Sequence, residues 1–385
     1  MTTQIHSVSG DSQYDEEFYE LPFRIYQDDE TWVPPLLSDI KAVFDPKKNA
    51  FYQKGTTRRF VGTQNGKTVG RIAAMVNLAK DFRESPTLGG FGFFECVNSQ
   101  AVANALLDAA GDWLQTQGYE GMRGPINFGE TDRWWGLLVE NFEDLPTYGI
   151  NYNPPYYIEL LEHYGLTKHH DQYSYKIELN QPIPKRLLRI GERVLNRPNI
   201  HIRMVDMENL ASEAETIREI YNTAWEEMDL EDFFDEFTPL TEETAQQMIE
   251  ELRPILSPEG AWLAFVNDEP ASFVLSIPDI NQVLYHLNGK INLITLPKFL
   301  WYKRKISRLR VIAYGTVKKY RRLGLEAGIF TKGMQCIKNQ HPGFKEVIAA
   351  WTGEENWLMQ HSIEAAGGRL FQKHRTYMHL FRGAQ

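Results

Sequence analysis

The chain of 385 residues has only two cysteines, Cys96 and Cys336, too few for a disulfide framework and without the spacing of a metal site. Both are expected to be reduced, buried thiols. No apolar run approaches the ~20 residues that cross a bilayer. Met1–His6 shows no basic stretch leading into an apolar one. The expectation is a cytoplasmic protein with no membrane span. The ten histidines are scattered, and His169-His170 has no further ligand at useful spacing, so no metal is expected. No Ser/His/Asp or Cys/His arrangement stands out. The net charge of −10 argues against general nucleic-acid binding, although a local basic patch can still act alone.

What is present is an ordinary globular composition, 42% hydrophobic and 24% charged, in a chain long enough for two cores. Gln13 to Gln27 reads as a helix broken by Trp32-Val33-Pro34-Pro35. Arg59 to Val76 reads as a hairpin about Asn65-Gly66, the strongest two-residue turn signal. Phe91 to Val97 reads as a strand. Asn98-Ser99 offers an N-cap for a helix from about Gln100 to Gln117, with Val102, Leu106, Leu107, Ala110 and Leu114 at helical spacing. Tyr156 to His163 reads as a short helix and Gln172 to Leu179 as a closing strand.

The second half repeats this order. Asn65-Gly66 corresponds to Asn267-Asp268, Gly165 to Gly367 and Tyr175 to Tyr377, all at an offset of 202 residues. Three separated matches at one offset indicate a duplicated unit. The joint falls at Asn180-Gln181-Pro182-Ile183-Pro184, where proline forbids a central strand. Beyond it, His201–Val205, Trp262–Val266 and Ser272–Ile277 read as strands, and Ala211–Glu227 and Glu242–Leu256 as helices.

The strongest chemical signal is a local reversal of charge. From Lys298 to Arg322 there are ten basic residues and no acidic one. Within this run a β-branched strand, Val311 to Val317, enters a turn punctuated by Gly324 and then a helix. A helix that starts at a turn offers unpaired N–H groups and the positive end of its dipole, which together suit an anion.

Arg321-x-x-Gly324-Leu325 resembles motif A of the GNAT (N-acetyltransferase) superfamily, Arg/Gln-x-x-Gly-x-Gly/Ala, which binds the pyrophosphate of acetyl-CoA. Glu326 departs from it, since a small residue is usual there. Asn356-x-x-Met359-x-x-x-Ile363-x-x-x-Gly367 is similar to the family's motif B, with Ile363 where many members carry a proton-donating tyrosine. The resemblance implies an α/β (α+β) fold of two tandem GNAT-like domains, each a mixed, mostly antiparallel sheet flanked by helices. The domains are expected at residues 1–180, degenerate in donor binding because Val97-Asn98-Ser99-Gln100 has neither glycine nor charge, and at 185–385. It further implies acetyl-CoA or another acyl-CoA as co-substrate and a small-molecule amine or peptide as acceptor. Donor binding is expected from Thr316, Val317, Lys319, Arg321, Arg322, Leu323, Gly324, Leu325, Glu326, Ala327 and Asn356.

Candidates for proton transfer are Glu354, Glu355, Asp279 and Tyr314. Trp225, Glu226, Trp134 and Trp135 are the candidates for acceptor contact. Glu226 to Glu236 carries seven acids and no base, either a cover for a cationic acceptor or a solvated loop. The aromatic segment Asn127–Pro155 packs either across the inter-domain cleft or on its own half. Asn281–Trp301 is either a helical insertion on the core or a lid or membrane-surface patch. The alternatives to an N-acyltransferase are a non-catalytic ligand- or CoA-sensing protein and an RNA-binding module.

Overall fold

A two-residue hairpin of type I′ needs left-handed backbone at both central positions. Both expected turns have it: φ is 50° and 75° at Asn65 and Gly66, and 50° and 65° at Asn267 and Asp268. The computed structural model describes residues 2–8, 10, 13–78, 86–129, 133–226 and 239–381. In chain order the first half has β1 (Gln4–Val8), α1 (Gln13–Ile25), α2 (Leu37–Val43), β2 (Gly55–Gln64), β3 (Lys67–Asn77), β4 (Leu88–Cys96), α3 (Gln100–Thr116), β5 (Gly121–Gly124), β6 (Leu137–Glu140), α4 (Tyr157–Tyr164) and β7 (Thr167–Glu178). The second has α5 (Lys185–Leu195), β8 (Ile200–Met204), α6 (Leu210–Glu226), α7 (Glu242–Leu252), β9 (Ala261–Val266), β10 (Glu269–Pro278), α8 (Asn281–Leu284), α9 (Leu296–Lys303), β11 (Arg308–Thr316), α10 (Leu325–Gln340), β12 (Glu346–Gly353), α11 (Trp357–Ala365) and β13 (Arg369–Leu380).

The strands form one mixed, mostly antiparallel sheet in the order β1-β2-β3-β4-β5-β13-β7-β12-β11-β10-β9-β8, with β6 paired to β13 off this path. Each half therefore sends its last strand into the other. β7 pairs with β12 of the second half, and β13 pairs with β5 of the first. Where these strands meet, Leu370 faces Tyr175 and Tyr377 faces Lys168. Those two pairs interchange under the 202-residue offset, so an approximate twofold axis passes between β7 and β13. A cut in the joint at 180–184 would take β7 away from β12.

The seam is polar as well as hydrogen-bonded. Asp171, 2% exposed, receives two hydrogen bonds from Arg375 (2.7 and 3.1 Å) and lies 3.2 and 3.4 Å from Lys168 and Lys373. These cations hold its carboxyl at about 2, against the burial that would raise it. The buried His374 ring bonds the Asn151 carbonyl, and burial lowers it to about 4.

Helix α3 buries Val102, Leu106, Leu107, Ala110 and Leu114 completely, the valine and leucines each worth about 1.5–3 kcal/mol of apolar transfer. The segment Asn127–Pro155 crosses to the second half. Tyr148 N–H donates to Asp279 Oδ1 (3.0 Å), Arg308 donates to the Leu145 carbonyl (2.8 Å), and Arg310 donates to the Tyr148 carbonyl. Arg308 and Arg310 are 6% and 2% exposed, so two of the ten bases in the charged run hold this crossing.

Several boundaries differ from the sequence reading. β7 starts at Thr167 rather than Gln172, because the polar Thr167–Asp171 is paired by β13 on the seam. α7 ends at Leu252, just before Pro254. α2, α5, β5 and β6 were not foreseen. α5 mixes charged and apolar side chains, and Gly191 seats it on α10: a Cβ there would lie 2.6 Å from the Ala327 carbonyl oxygen. The Asn281–Trp301 insertion buries Val283, Leu284 and Leu287 but leaves Leu293 and Ile294 89% and 88% exposed.

Candidate functional site

β11 and β12 run parallel but pair only over Arg308–Val311 and Glu346–Ala349. β11 continues to Thr316 on β10, and β12 continues to Gly353 on β7. The two strands diverge, and among the described residues the inner edge of Ile312–Thr316 has no sheet partner, although Arg321 donates to the Thr316 carbonyl. The sheet thus contains a wedge lined by main-chain donors and acceptors that need partners. On the β12 wall the Thr352 hydroxyl is buried without a hydrogen-bond partner among the described residues.

One lip of the wedge is the turn after β11. Val317 leads into a tight turn at Lys318–Tyr320, and Gly324 starts α10 with φ 77° and no side-chain cap. The first N–H groups of α10, from Leu325, Glu326 and Ala327, have no intrahelical acceptor. Gly324 is required twice over, since a Cβ there would also meet Ile190 of α5 at 2.9 Å. Arg321 is spent on structure: it donates to the carbonyls of Thr316 and Ala224, both at 3.1 Å, and ties the turn to α6. Lys319 and Tyr320 bond Glu269 at 2.6 Å. Lys318 and Arg322 are exposed.

Glu326 turns toward the strand. The Thr316 hydroxyl lies 3.4 Å from its carboxylate, 3.1 Å from the Tyr314 hydroxyl and 2.7 Å from Ser272 Oγ. Burial, reinforced by Glu326, pushes the Tyr314 phenol well above its usual range, so it remains protonated at neutral pH. The helix start, Lys318 and Arg322 are the groups here with the chemistry to meet a polyphosphate, and the Glu326 carboxylate opposes it.

The other lip is the end of β12. Glu354 bonds Lys168 and accepts from Asp171 N–H at 3.3 Å, both on the β7 side. The His170 ring lies 3.6 Å from Glu354 and 3.5 Å from Glu355, and burial lowers its imidazole to about 4. Asn356 caps α11 by accepting from Met359 N–H at 3.2 Å. α11 has no fully buried residue, and Trp357 and Leu358 are 59% and 63% exposed at the rim. The sequence reading missed His170, Thr352, Trp357 and Leu358; an apolar pair immediately after the N-cap Asn356 was the available signal for the last two.

The remaining candidates are dispersed. Trp225 stacks on Tyr221 at 4.3 Å and lies over Gly315 of β11, close to the wedge. Glu226, at the end of α6, is exposed, and the rest of the acidic stretch to Glu236 lies outside the described residues. Asp279 is fully buried beside the start of β11, where it accepts from Tyr148 and Asn281 N–H and lies 3.5 Å from Arg308. Trp134 and Trp135 pack on the first-half cluster of Phe128, Ile126 and Phe44. Leu323, Leu325 and Ala327 pack inward against or beside α5. Among the described residues no three His, Cys, Asp or Glu are grouped to hold a metal.

The same place in the first half is filled. β4 and β5 pair at Leu88–Gly90 with Gly121–Arg123, and Ile126 N–H bonds the Phe91 carbonyl at 2.8 Å, the same depth as the β11–β12 pairing to Val311. Beyond it, Tyr157 and Tyr26 donate to Glu95 at 2.9 and 2.8 Å, and Arg71 lies 3.4 Å from the same carboxylate.

Comparison with solved structures matches this architecture from end to end. A tandem GNAT protein from the clavulanic acid biosynthesis pathway superposes with a TM-score of 0.58 at 10% identity, covering 98% of each chain. The fold is that of tandem GNAT proteins. A GCN5-related glucosamine N-acetyltransferase region of a fungal multi-domain β-N-acetylglucosaminidase gives a TM-score of 0.56 at 12% identity, over 98% of this chain and 38% of that one. No family model matches the chain. Among curated proteins, a bacterial ceramide synthase of Caulobacter vibrioides is 28% identical over 94% of this chain and 93% of its own length. Protein YghO of Escherichia coli is 25% identical over 94% and 91%. No helix among the described residues is long and apolar enough to cross a membrane.

Proposed function

We propose that the protein is an N-acyltransferase that moves a long acyl group from a CoA thioester to the amino group of a long-chain amine. The observation that carries this reading is the wedge between β11 and β12, with a basic helix start on one lip and the exposed apolar pair Trp357 and Leu358 on the other. The ceramide synthase relative supports it, since a ceramide is the amide of a long-chain amino alcohol and a fatty acid. The second half, residues 185–385, is the donor domain in this reading, and residues 1–180 supply the filled counterpart.

Each group then has a task. The N–H groups of Leu325 to Ala327, with Lys318 and Arg322, hold the phosphates, while Arg321 and Gly324 shape the turn. The open edge of Ile312–Thr316, apart from the Thr316 carbonyl held by Arg321, offers hydrogen bonds to an amide-bearing arm. Nitrogen attack forms the C–N bond as the C–S bond breaks; one proton leaves the amine and one reaches the departing sulfur. Glu355, near His170, is the proposed acceptor of the first, and the protonated Tyr314 phenol the proposed source of the second. Trp225 and the rim of α11 border the acceptor.

The test is thiol release from acetyl- and palmitoyl-CoA against a panel running from polar amines to long-chain 2-amino-1,3-diols, with the amide product identified by mass. Turnover confined to long donors and long-chain amines is expected. Equal turnover of acetyl-CoA with polar amines would overturn the chain-length reading. CoA binding without any turnover would replace the enzyme by a sensing protein.

A further inference from the structure

The α8–α9 insertion, at the far end of β11 from the phosphate turn, has a two-sided construction. Phe299 and Tyr302 of α9 pack inward on the cluster of Val33, Ile280, Val283, Leu284, Leu287 and Ile306. Facing outward are Leu293 and Ile294 at 89% and 88% exposure, Leu300 and Trp301 at 53%, and Leu296 at 40%. Scattered single apolar residues need no explanation, but a contiguous outward group does. Around it stand exposed Lys290, Lys298, Arg304 and Lys305, with Lys305 Nζ 3.3 Å above the Trp301 ring. No acidic residue occurs between Asp279 and Glu326, although the protein as a whole has a net charge of −10.

We infer that this insertion docks the protein on an anionic bilayer surface, the Leu293-Ile294 tip entering the acyl boundary and the surrounding cations meeting lipid headgroups. Three features select that occupant. Aliphatic side chains with an indole and a collar of lysines are the composition of an interfacial anchor. The positive collar complements anionic lipid, while the net charge of the molecule as a whole opposes approach to it. A second copy of the chain fits poorly, because the seven large apolar side chains exposed between Tyr285 and Trp301 fall well short of the ~20–30 residues a stable interface buries on each side. The inference does not depend on which acyl group or amine is used.

The experiment is flotation of the full chain with phosphatidylcholine vesicles, with and without one third phosphatidylglycerol. Binding to the anionic vesicles, weakened by about 0.5 M salt, is expected. The double change Leu293→Asp/Ile294→Asp should lower partitioning at least tenfold, and Lys298→Glu/Arg304→Glu should abolish the preference for anionic lipid. Both pairs are exposed, so circular dichroism and the unfolding midpoint should be unchanged. Absence of wild-type flotation, or flotation that both variants retain, would overturn the inference. So would a lipid-free change in sedimentation on Leu293→Asp/Ile294→Asp, which would make the patch a self-association surface.

Discussion

The two halves share a strand order, a turn geometry and a seam, yet treat the gap between their parallel strands in opposite ways. Val97 N–H bonds the Val69 carbonyl, and its counterpart Val317 N–H bonds the Ala271 carbonyl, so the frames coincide to the end of the strand. Just before that point the first half has Glu95, bonded by Tyr26 and Tyr157, where the second has Gly315. Main-chain pairing reaches the same depth in both, since Ile126 N–H bonds the Phe91 carbonyl in the first half and Val311 pairs with Ala349 in the second. Duplication supplies two equivalent gaps; the side chains around Glu95 fill one of them. A buried carboxylate with two tyrosines and an arginine is an expensive way to close a gap, and burial raises the Glu95 carboxyl despite Arg71.

The comparison breaks hardest at what the halves share. Asp171→Ala removes the carboxylate that Arg375 and two lysines meet on the seam, and loss of one partner of a buried ion pair costs about 3–5 kcal/mol. Both halves should unfold together at lower denaturant; loss of structure in one half alone would contradict the exchanged strands.

The seam also sets a pH dependence. His374 titrates at about 4 when folded, against an ordinary 6.5. Its folded pKa is lowered, so the unfolded chain takes up the proton first. Stability is complete above pH 6.5 and falls as pH drops toward 4, by up to about 3 kcal/mol. His170 adds in the same direction. Urea unfolding across this range should show the slope, and His374→Gln should flatten part of it.

The closed gap can be sharpened separately. A Cβ at Gly92 would lie 1.9 Å from the Ile126 carbonyl oxygen, so Gly92→Ala should displace that bridge and cost about 1–3 kcal/mol without changing donor affinity. At the open gap, Arg322→Glu should weaken CoA binding about tenfold or more, since charge-assisted hydrogen bonds to phosphate are worth about 1.5–3 kcal/mol. Calorimetry reads both. Tyr314→Phe should slow turnover while leaving stability and CoA affinity unchanged, since it removes only the proton source; a rate unchanged within error would remove the tyrosine from the mechanism.

The fold was legible where local chemistry dictates it. The Asn65-Gly66 turn, the α3 stripe and the 202-residue repeat all describe short-range geometry. The exchange of β7 and β13 was not, because no property of Thr167–Glu178 says which strand will lie beside it, and its polar start hid even its length. The charged run shows the same limit. Ten bases in a row read as one patch, whereas folding sends Arg308 and Arg310 inward, Arg321 onto the turn, and Lys298, Arg304 and Lys305 to a different surface. Asp279 looked available at a strand end, but the loop that meets it comes from Tyr148, far away in sequence.

Hydrogen exchange with and without CoA most directly tests the claim that one gap is open and the other is filled. Protection should appear over Ile312–Thr316 and Leu325–Ala327, with no change over Phe91–Cys96 or the start of α3. Protection of the first-half segment, or of both halves alike, would contradict it.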